Sequence, residues 1–359
     1  MNLPDGLIPV ADGLHLWAPQ HVGTWGFANC LLITSGGHAA LVDTPYDRPM
    51  TEALIAAAGR ELASGVTVRT IVNTHVNGDH TFGNGCFPGA EIIATRASAE
   101  HLCREPSPQQ MHFLTHGTPP DEPLGWYARE HFGRYRYEDV ETVPPTTTFS
   151  GRYDLQVGDI EAELIEVGPA HSAGDLIVHF PAQRVVCSGD VLFADDHPVH
   201  WDGPLSAIVA ACETVLALDP EVVIPGHGPL MTPQDVRAYV DYLRELEALV
   251  HAHHAAGVPA LDAAADILAT GFHDHLGLPE RVVILTAVEY RHLDGDTAEP
   301  NLVQLSAHAA AWAYRHRGPG SGSAAQAVRG EQVARAEQAG RAVVPAPASV
   351  GEAREGALD

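Results

Sequence analysis

Four short segments carry the residue types that metal chemistry needs. They are Asn73-Thr74-His75-Val76-Asn77-Gly78-Asp79-His80, Gly168-Pro169-Ala170-His171-Ser172-Ala173-Gly174-Asp175, Cys187-Ser188-Gly189-Asp190 and Pro225-Gly226-His227-Gly228. Imidazole and carboxylate together suit zinc, iron or manganese. A glycine beside a ligand lets the backbone turn tightly and come close to an ion. Taken singly, each piece is weak. A chain with 22 histidines offers many chances for a stray match, and Gly-Asp after a strand is a commonplace turn. The ordered set is strong, because each segment follows a short apolar run (VRTIVNT, LIEV, RVV, VVI) that reads as a strand.

Those runs belong to a longer alternation of strands and helices. Residues 14–43 read as strands around a glycine-flanked loop at 23–26, with Ser35-Gly36-Gly37 as a hairpin turn. A helix is expected over 49–63, with Leu54, Ile55, Ala58 and Leu62 on one face. Strands are expected at 68–74 and 91–95, then a helix at 97–104. Further strands fall at 153–156, 161–166, 175–180 and 184–188, a helix at 204–217 and a strand at 222–224. Thr232, Pro233 and Asp235 form a strong helix start. That helix is expected to run to Val250, with more at 260–269, 279–292 and 302–316. Two βα-rich halves make an α/β layered sandwich, in which loops at strand ends converge on one site. The expected organisation is a core over 1–230, a helical extension over 231–317 and a disordered tail over 318–359. Residues 104–145, rich in proline, histidine and aromatics, interrupt the core as a lid-like insertion or a packed elaboration.

Composition excludes several chemistries. All 20 basic residues are arginine, so a Schiff-base lysine, a P-loop lysine and a kinase ATP-site lysine are all ruled out. A formal charge of −26 argues against nucleic acid as a partner. No apolar run approaches the ~18 residues of a membrane span. The start MNLPDGLIPV lacks a signal-peptide pattern, which points to a cytoplasmic protein. Cys30, Cys86, Cys103, Cys187 and Cys212 have no CxxC spacing and read as reduced thiols.

The four segments together resemble the metallo-β-lactamase superfamily, over about residues 12–230. The resemblance implies an αββα sandwich with a metal site at one edge of its two sheets. The family's first motif, His-x-His-x-Asp-His, aligns with His75, Asn77, Asp79 and His80. His171 matches the next histidine, Asp190 the bridging aspartate, His227 the final histidine, and Asp43 the acid that supports the site from beneath. In the family's two-metal arrangement, His75, position 77 and His171 hold one ion. Asp79, His80 and His227 hold the other, and Asp190 bridges them. Asn77 departs from that pattern, and a carboxamide oxygen is a poorer zinc ligand than imidazole. Three outcomes stay open. Asn77 is a weak ligand of a loose second ion; or a single zinc sits at Asp79, His80, Asp190 and His227; or His75, His171 and Asp190 hold iron, as in the superfamily's mononuclear oxygenase branch.

The implied chemistry is hydrolysis by hydroxide generated at a zinc site of one or two ions, with Asp79 orienting it and Asp43 fixing a ligand from behind. Iron or manganese are the alternative metals. The candidate substrate wall is Trp25, Phe27, Phe193, His197, His200 and Trp201, with the aromatics of 111–137. Such a wall favours a flat or apolar small molecule. A thioester, ester or lactone fits, carrier- or CoA-bound in one version, and related bacterial thioesterase-like cyclases extend this to polyketide biosynthesis. The competing readings are an iron-dependent oxidoreductase and a non-catalytic binding protein on the same scaffold. The C-terminal helices either form a homodimer surface or shape the pocket. His251, His253, His254, His273 and His275 read as solvated or helix-end residues.

Overall fold

The computed structural model describes residues 3–19 and 22–319. The expected tail therefore lies almost wholly outside the described residues. The strands are β1 (Ile8–Ala11), β2 (Leu14–Trp17), β3 (Cys30–Ser35), β4 (His38–Val42), β5 (Thr70–Val72), β6 (Glu91–Thr95), β7 (Thr147–Phe149), β8 (Arg152–Val157), β9 (Ile160–Glu166), β10 (Leu176–Phe180), β11 (Val185–Phe193) and β12 (Val222–His227). The helices are α1 (Arg48–Glu61), α2 (Gly78–Thr81), α3 (Arg96–His101), α4 (Pro108–His116), α5 (Pro123–Phe132), α6 (Leu205–Ala217), α7 (Pro233–Ala255), α8 (Ala260–Ala269), α9 (Arg281–Leu293) and α10 (Leu302–Arg317).

One sheet runs β1 to β7 in sequence order, and the other runs β12-β11-β10-β9-β8. Strands β1 to β4 pair antiparallel, while β4 to β7 and the β11–β12 pair are parallel. Parallel strands need helices to return the chain, and the resulting burial on both faces explains the apolar runs at Ile71-Val72 and Val223-Ile224. Period-two alternation divides β3: Leu31 and Ile33 face the opposite sheet, where they join Leu164, Val178 and Ile224. Cys30 and Leu32 face outward against Met50, Leu54 and Ala57 of α1. The second sheet's outer face is covered by α6 to α10, through Ile208, Leu243, Ile267, Ile284 and Ala309. The expected αββα sandwich is present.

Several local expectations shift. In α1 the buried face is Met50, Leu54, Ala57 and Ala58, while Ile55 is exposed. Strand β11 does not stop before Asp190. It continues to Phe193 across a register irregularity between Cys187 and Gly189. Gly189 has φ +51°, and a bulge of this kind re-aims the next side chain, here Asp190. The α7 capping box forms at Thr232 and Asp235, and the helix reaches Ala255. The insertion folds into α4 and α5. Tyr314 of α10 donates to the Asp121 carbonyl at 2.9 Å, which ties the insertion to the last helix. No helix among the described residues is long and apolar enough to cross a membrane.

Candidate metal centre

The four sequence segments meet. His75 follows β5, Asp79 and His80 lie on α2, His171 sits in the β9–β10 turn, Asp190 lies in β11 and His227 ends β12. His80 Nε2 is 3.1 Å from Asp190 Oδ1 and 3.4 Å from His227 Nε2. His227 Nε2 is 3.4 Å from both Asp79 Oδ2 and Asp190 Oδ2. His171 and His75 approach Asp190 Oδ2 at 3.6 and 3.9 Å. Asn77 Oδ1 lies 3.2 Å from His75 Nε2 and 2.7 Å from His171 Nε2. A tetrahedral ion ~2.0–2.1 Å from each nitrogen sets its ligand atoms about 3.3 Å apart. Most of these separations match that spacing.

Proton accounting sharpens the fit. Asp43 Oδ2 accepts from the Thr74 hydroxyl at 2.7 Å. The Thr74 oxygen therefore accepts from His75 Nδ1–H at 3.0 Å, and His75 Nε2 is left as a bare lone pair. The Val199 carbonyl accepts from His171 Nδ1–H at 2.7 Å, so His171 Nε2 is bare as well. Burial lowers the His171 pKa to about 4 and holds His75 well below its usual value, helped by the neighbouring His80, so neither ring gains a second proton. Asn77 Nδ2 donates to Glu105 Oε2 at 2.7 Å, which turns Oδ1 toward the two rings. Three acceptors thus converge with no hydrogen between them. Asp190 Oδ1 is buried, with His80 Nε2 at 3.1 Å as its charged neighbour. A cation among the three acceptors resolves that conflict.

Asp43 anchors the cluster from behind. It accepts from Thr74 N–H at 2.7 Å and from His80 Nδ1–H at 2.8 Å. Its backbone takes φ +62°, a region that aspartate tolerates better than most residues. Burial draws the His80 pKa down, but the Asp190 and Asp43 carboxylates outweigh it and hold the imidazolium well above its ordinary range. Burial also opposes ionisation of Asp190, yet His227, His80 and His171 keep its carboxyl well below the usual value. A Cβ at Gly226 would stand 1.9 Å from Asp190 Oδ1, so no larger residue fits there. Asp175 accepts from Ser172 N–H and Ala170 N–H and shapes the turn that presents His171.

A pocket of about 910 Å³, its open mouth included, leads onto this cluster. Of the wall residues named from the sequence, Trp25, Phe193 and Trp201 line it. Three other expected wall residues do not. Phe27 packs edge-on against Tyr135, at 5.6 Å between ring centroids. His197 and His200 turn toward α7, pairing with the hydroxyls of Tyr242 and Tyr239 at 2.8 and 3.1 Å. The insertion supplies Met111, Leu114, Tyr127 and Phe132 to the wall, and α10 supplies Leu302 and Val303. Sequence reasoning did not single out Glu105 and Arg281, which also line the pocket. No spacing links them to the motifs, and only the packed insertion and extension bring them in. His251, expected as a helix-end residue of α7, has a side-chain partner there. It meets the buried Glu289 of α9 at 2.7 Å, and Glu289 also accepts from Leu205 N–H at the start of α6.

The chain belongs to the metallo-beta-lactamase superfamily, which residues 23–227 match. It is 27% identical over 231 residues to the human acyl-coenzyme A thioesterase MBLAC2, covering 61% of this chain and 79% of that protein. It is 26% identical over 204 residues to the alpha subunit of the 2,4-dinitroanisole O-demethylase of Nocardioides sp. (strain JS1661), covering 56% of this chain and 50% of that one. Among solved structures, a metallo-beta-lactamase family protein from Thermus thermophilus superposes with a TM-score of 0.57 at 19% identity, covering 80% of this chain and 95% of that chain. A metallo-beta-lactamase from Pontibacter korlensis gives 0.51 at 17% identity, covering 68% and 99%. At these identities the two structures speak for the fold alone.

Asn77 sets one testable property of the centre. Asn77→His is expected to raise tightly bound metal toward two ions per chain. Glu105→Ala, which frees the amide to turn, is expected to weaken binding at that position by about 10- to 100-fold. Elemental analysis and competition with a chromophoric chelator read both. Unchanged stoichiometry in Asn77→His would show that Asn77 does not limit binding.

Proposed function

We propose that this protein is a metal-dependent hydrolase of acyl thioesters, with a small-molecule acyl group on coenzyme A or a carrier. The observation that carries the reading is the apolar, aromatic pocket that ends on the His/Asp cluster. Similarity to an acyl-coenzyme A thioesterase supports the choice of thioester. In this reading His75, Asn77 and His171 hold one ion, Asp79, His80 and His227 the other, and Asp190 lies between them. Zinc suits these nitrogen and oxygen donors. Such an ion, when bound, lowers the pKa of water toward about 7 and polarises a carbonyl.

The protein's own groups do the rest. Asp79 lines the pocket beside Gly78, where its carboxylate orients the attacking water. Trp25, Trp201 and Phe193 grip the acyl group, and Met111, Leu114 and Phe132 keep bulk water from it. Residues 104–145 and the helices after 231 are thus the substrate-binding part, set on a core of 1–230. None of the relatives above is a polyketide cyclase.

Thiol release from a length series of acyl thioesters tests this. Metal-loaded protein should turn over part of the series. A chelator should stop it, zinc should restore it, and Asp79→Asn should lower kcat with little change in KM. No thiol release from fully loaded protein would sink the reading. Methanol release from an aryl methyl ether would move it to ether cleavage, and iron content with oxygen consumption would move it to oxidation.

A further inference from the structure

Arg281, the first residue of α9, is only 2% exposed, yet it lines the same pocket as Asp190 and His227. Its guanidinium carbon lies 4.1 Å from the centre of the Trp25 ring and 5.2 Å from that of Phe193. Nη1 donates to the His197 carbonyl at 3.1 Å, and Nε has no partner. Among the described residues Arg281 makes no ion pair. The adjacent Glu280 directs its charge to Arg317 and accepts from the Tyr127 hydroxyl. Asp196 turns both carboxylate oxygens to Gly23 N–H, at 2.9 and 3.2 Å. Asp196 acts on Arg281 only through space and not as a contact pair. A buried cation with no carboxylate in contact is unfavourable, and two aromatic faces offset only part of that.

The remaining offset can arrive with the ligand. Histidines aside, the other charged groups of the pocket wall are the carboxylates of Asp79, Glu105 and Asp190. Arg281 is therefore where an anionic substrate group is welcome, and a guanidinium matches a carboxylate with paired donors. One ring separates it from the metal centre: Phe193 stacks on His227 at 5.4 Å between centroids, with 4° between planes. We propose that Arg281 anchors a carboxylate at the far end of the acyl group, so that the preferred substrates are short thioesters of dicarboxylic acids. This rests on the thioester reading above.

The test compares matched pairs on the metal-loaded protein: glutaryl against valeryl thioester, and adipyl against hexanoyl. The carboxylate member should be preferred by about tenfold or more in kcat/KM, mainly through KM, as a charge-assisted hydrogen bond allows. Arg281→Gln should bring the ratio near one, and Arg281→Lys should recover part of it. A separate arm measures binding of free glutarate against its monomethyl ester by calorimetry. Wild type should bind glutarate about tenfold more tightly, as expected for the added charged contact, and Arg281→Gln should not distinguish them. If no thioester is cleaved, the thioester reading fails while glutarate binding still reports on Arg281. Equal binding of glutarate and its ester by wild type, or no preference within the thioester pairs, overturns the subsite. If Arg281→Gln fails to fold, the wild-type comparisons decide alone.

Discussion

Asp190→Asn is expected to lose tightly bound metal and at least ~10³-fold of hydrolytic activity, since metal catalysis supplies several kcal/mol and each ~1.4 kcal/mol is a factor of ten. Asp190 lies within 4 Å of His75, His80, His171 and His227. Asparagine keeps its shape but removes the charge that makes a cation welcome among four imidazoles. The metal-free form should change as well. His80 has a raised pKa in the folded chain, so its contribution to stability is full below its unfolded value, ~6.5, and fades as pH rises through the raised folded value. An ion that binds Nε2 must displace that proton, so metal affinity should rise with pH in wild type. Metal titrations at several pH values and activity assays check both parts. Full metal occupancy in Asp190→Asn would refute the bridging role.

Asp43→Ala is expected to destabilise the fold by about 3–5 kcal/mol, the range seen when one member of a buried charged pair is removed. Three donors lose their acceptor at once: Thr74 N–H, the Thr74 hydroxyl and His80 Nδ1–H. Alanine also sits poorly at φ +62°. Asp43→Asn separates the backbone effect from the rest, because asparagine accepts the left-handed backbone while losing the charge and one of the two acceptor oxygens. It should retain stability better than alanine and still bind metal more weakly than wild type. Chemical denaturation and metal competition give the two readouts. An Asp43→Ala protein as stable as wild type would mean that Asp43 does not hold the cluster.

The candidate ligand set is legible because its members stand beside strand ends. A strand end is a local feature of sequence, marked by an apolar run and then glycine or proline. His75, His80, His171, Asp190 and His227 all converge as the pattern implies. Less is legible where a side chain's direction depends on what packs behind it. His197 and His200 share the composition of a pocket wall, but the α7 tyrosines offer buried hydroxyl partners and draw them away. Ile55 falls on the expected face of α1 and is exposed, because the neighbouring sheet buries a slightly rotated face. The end of β11 lies beyond its expected place because a bulge at Gly189 interrupts pairing without ending the strand.

By itself the sequence determined the layered α/β class, the order of the metal-type ligands and the missing histidine at position 77. These follow from periodicity, caps and residue chemistry, which act over a few neighbours. Tertiary structure alone decided what Asn77 faces, since its partner Glu105 lies 28 residues away in the insertion. It also decided that Arg281, beyond the matched family region, ends against two aromatic rings in the pocket that the His/Asp cluster also lines. Such contacts are made by packing, which brings together residues that no local pattern connects.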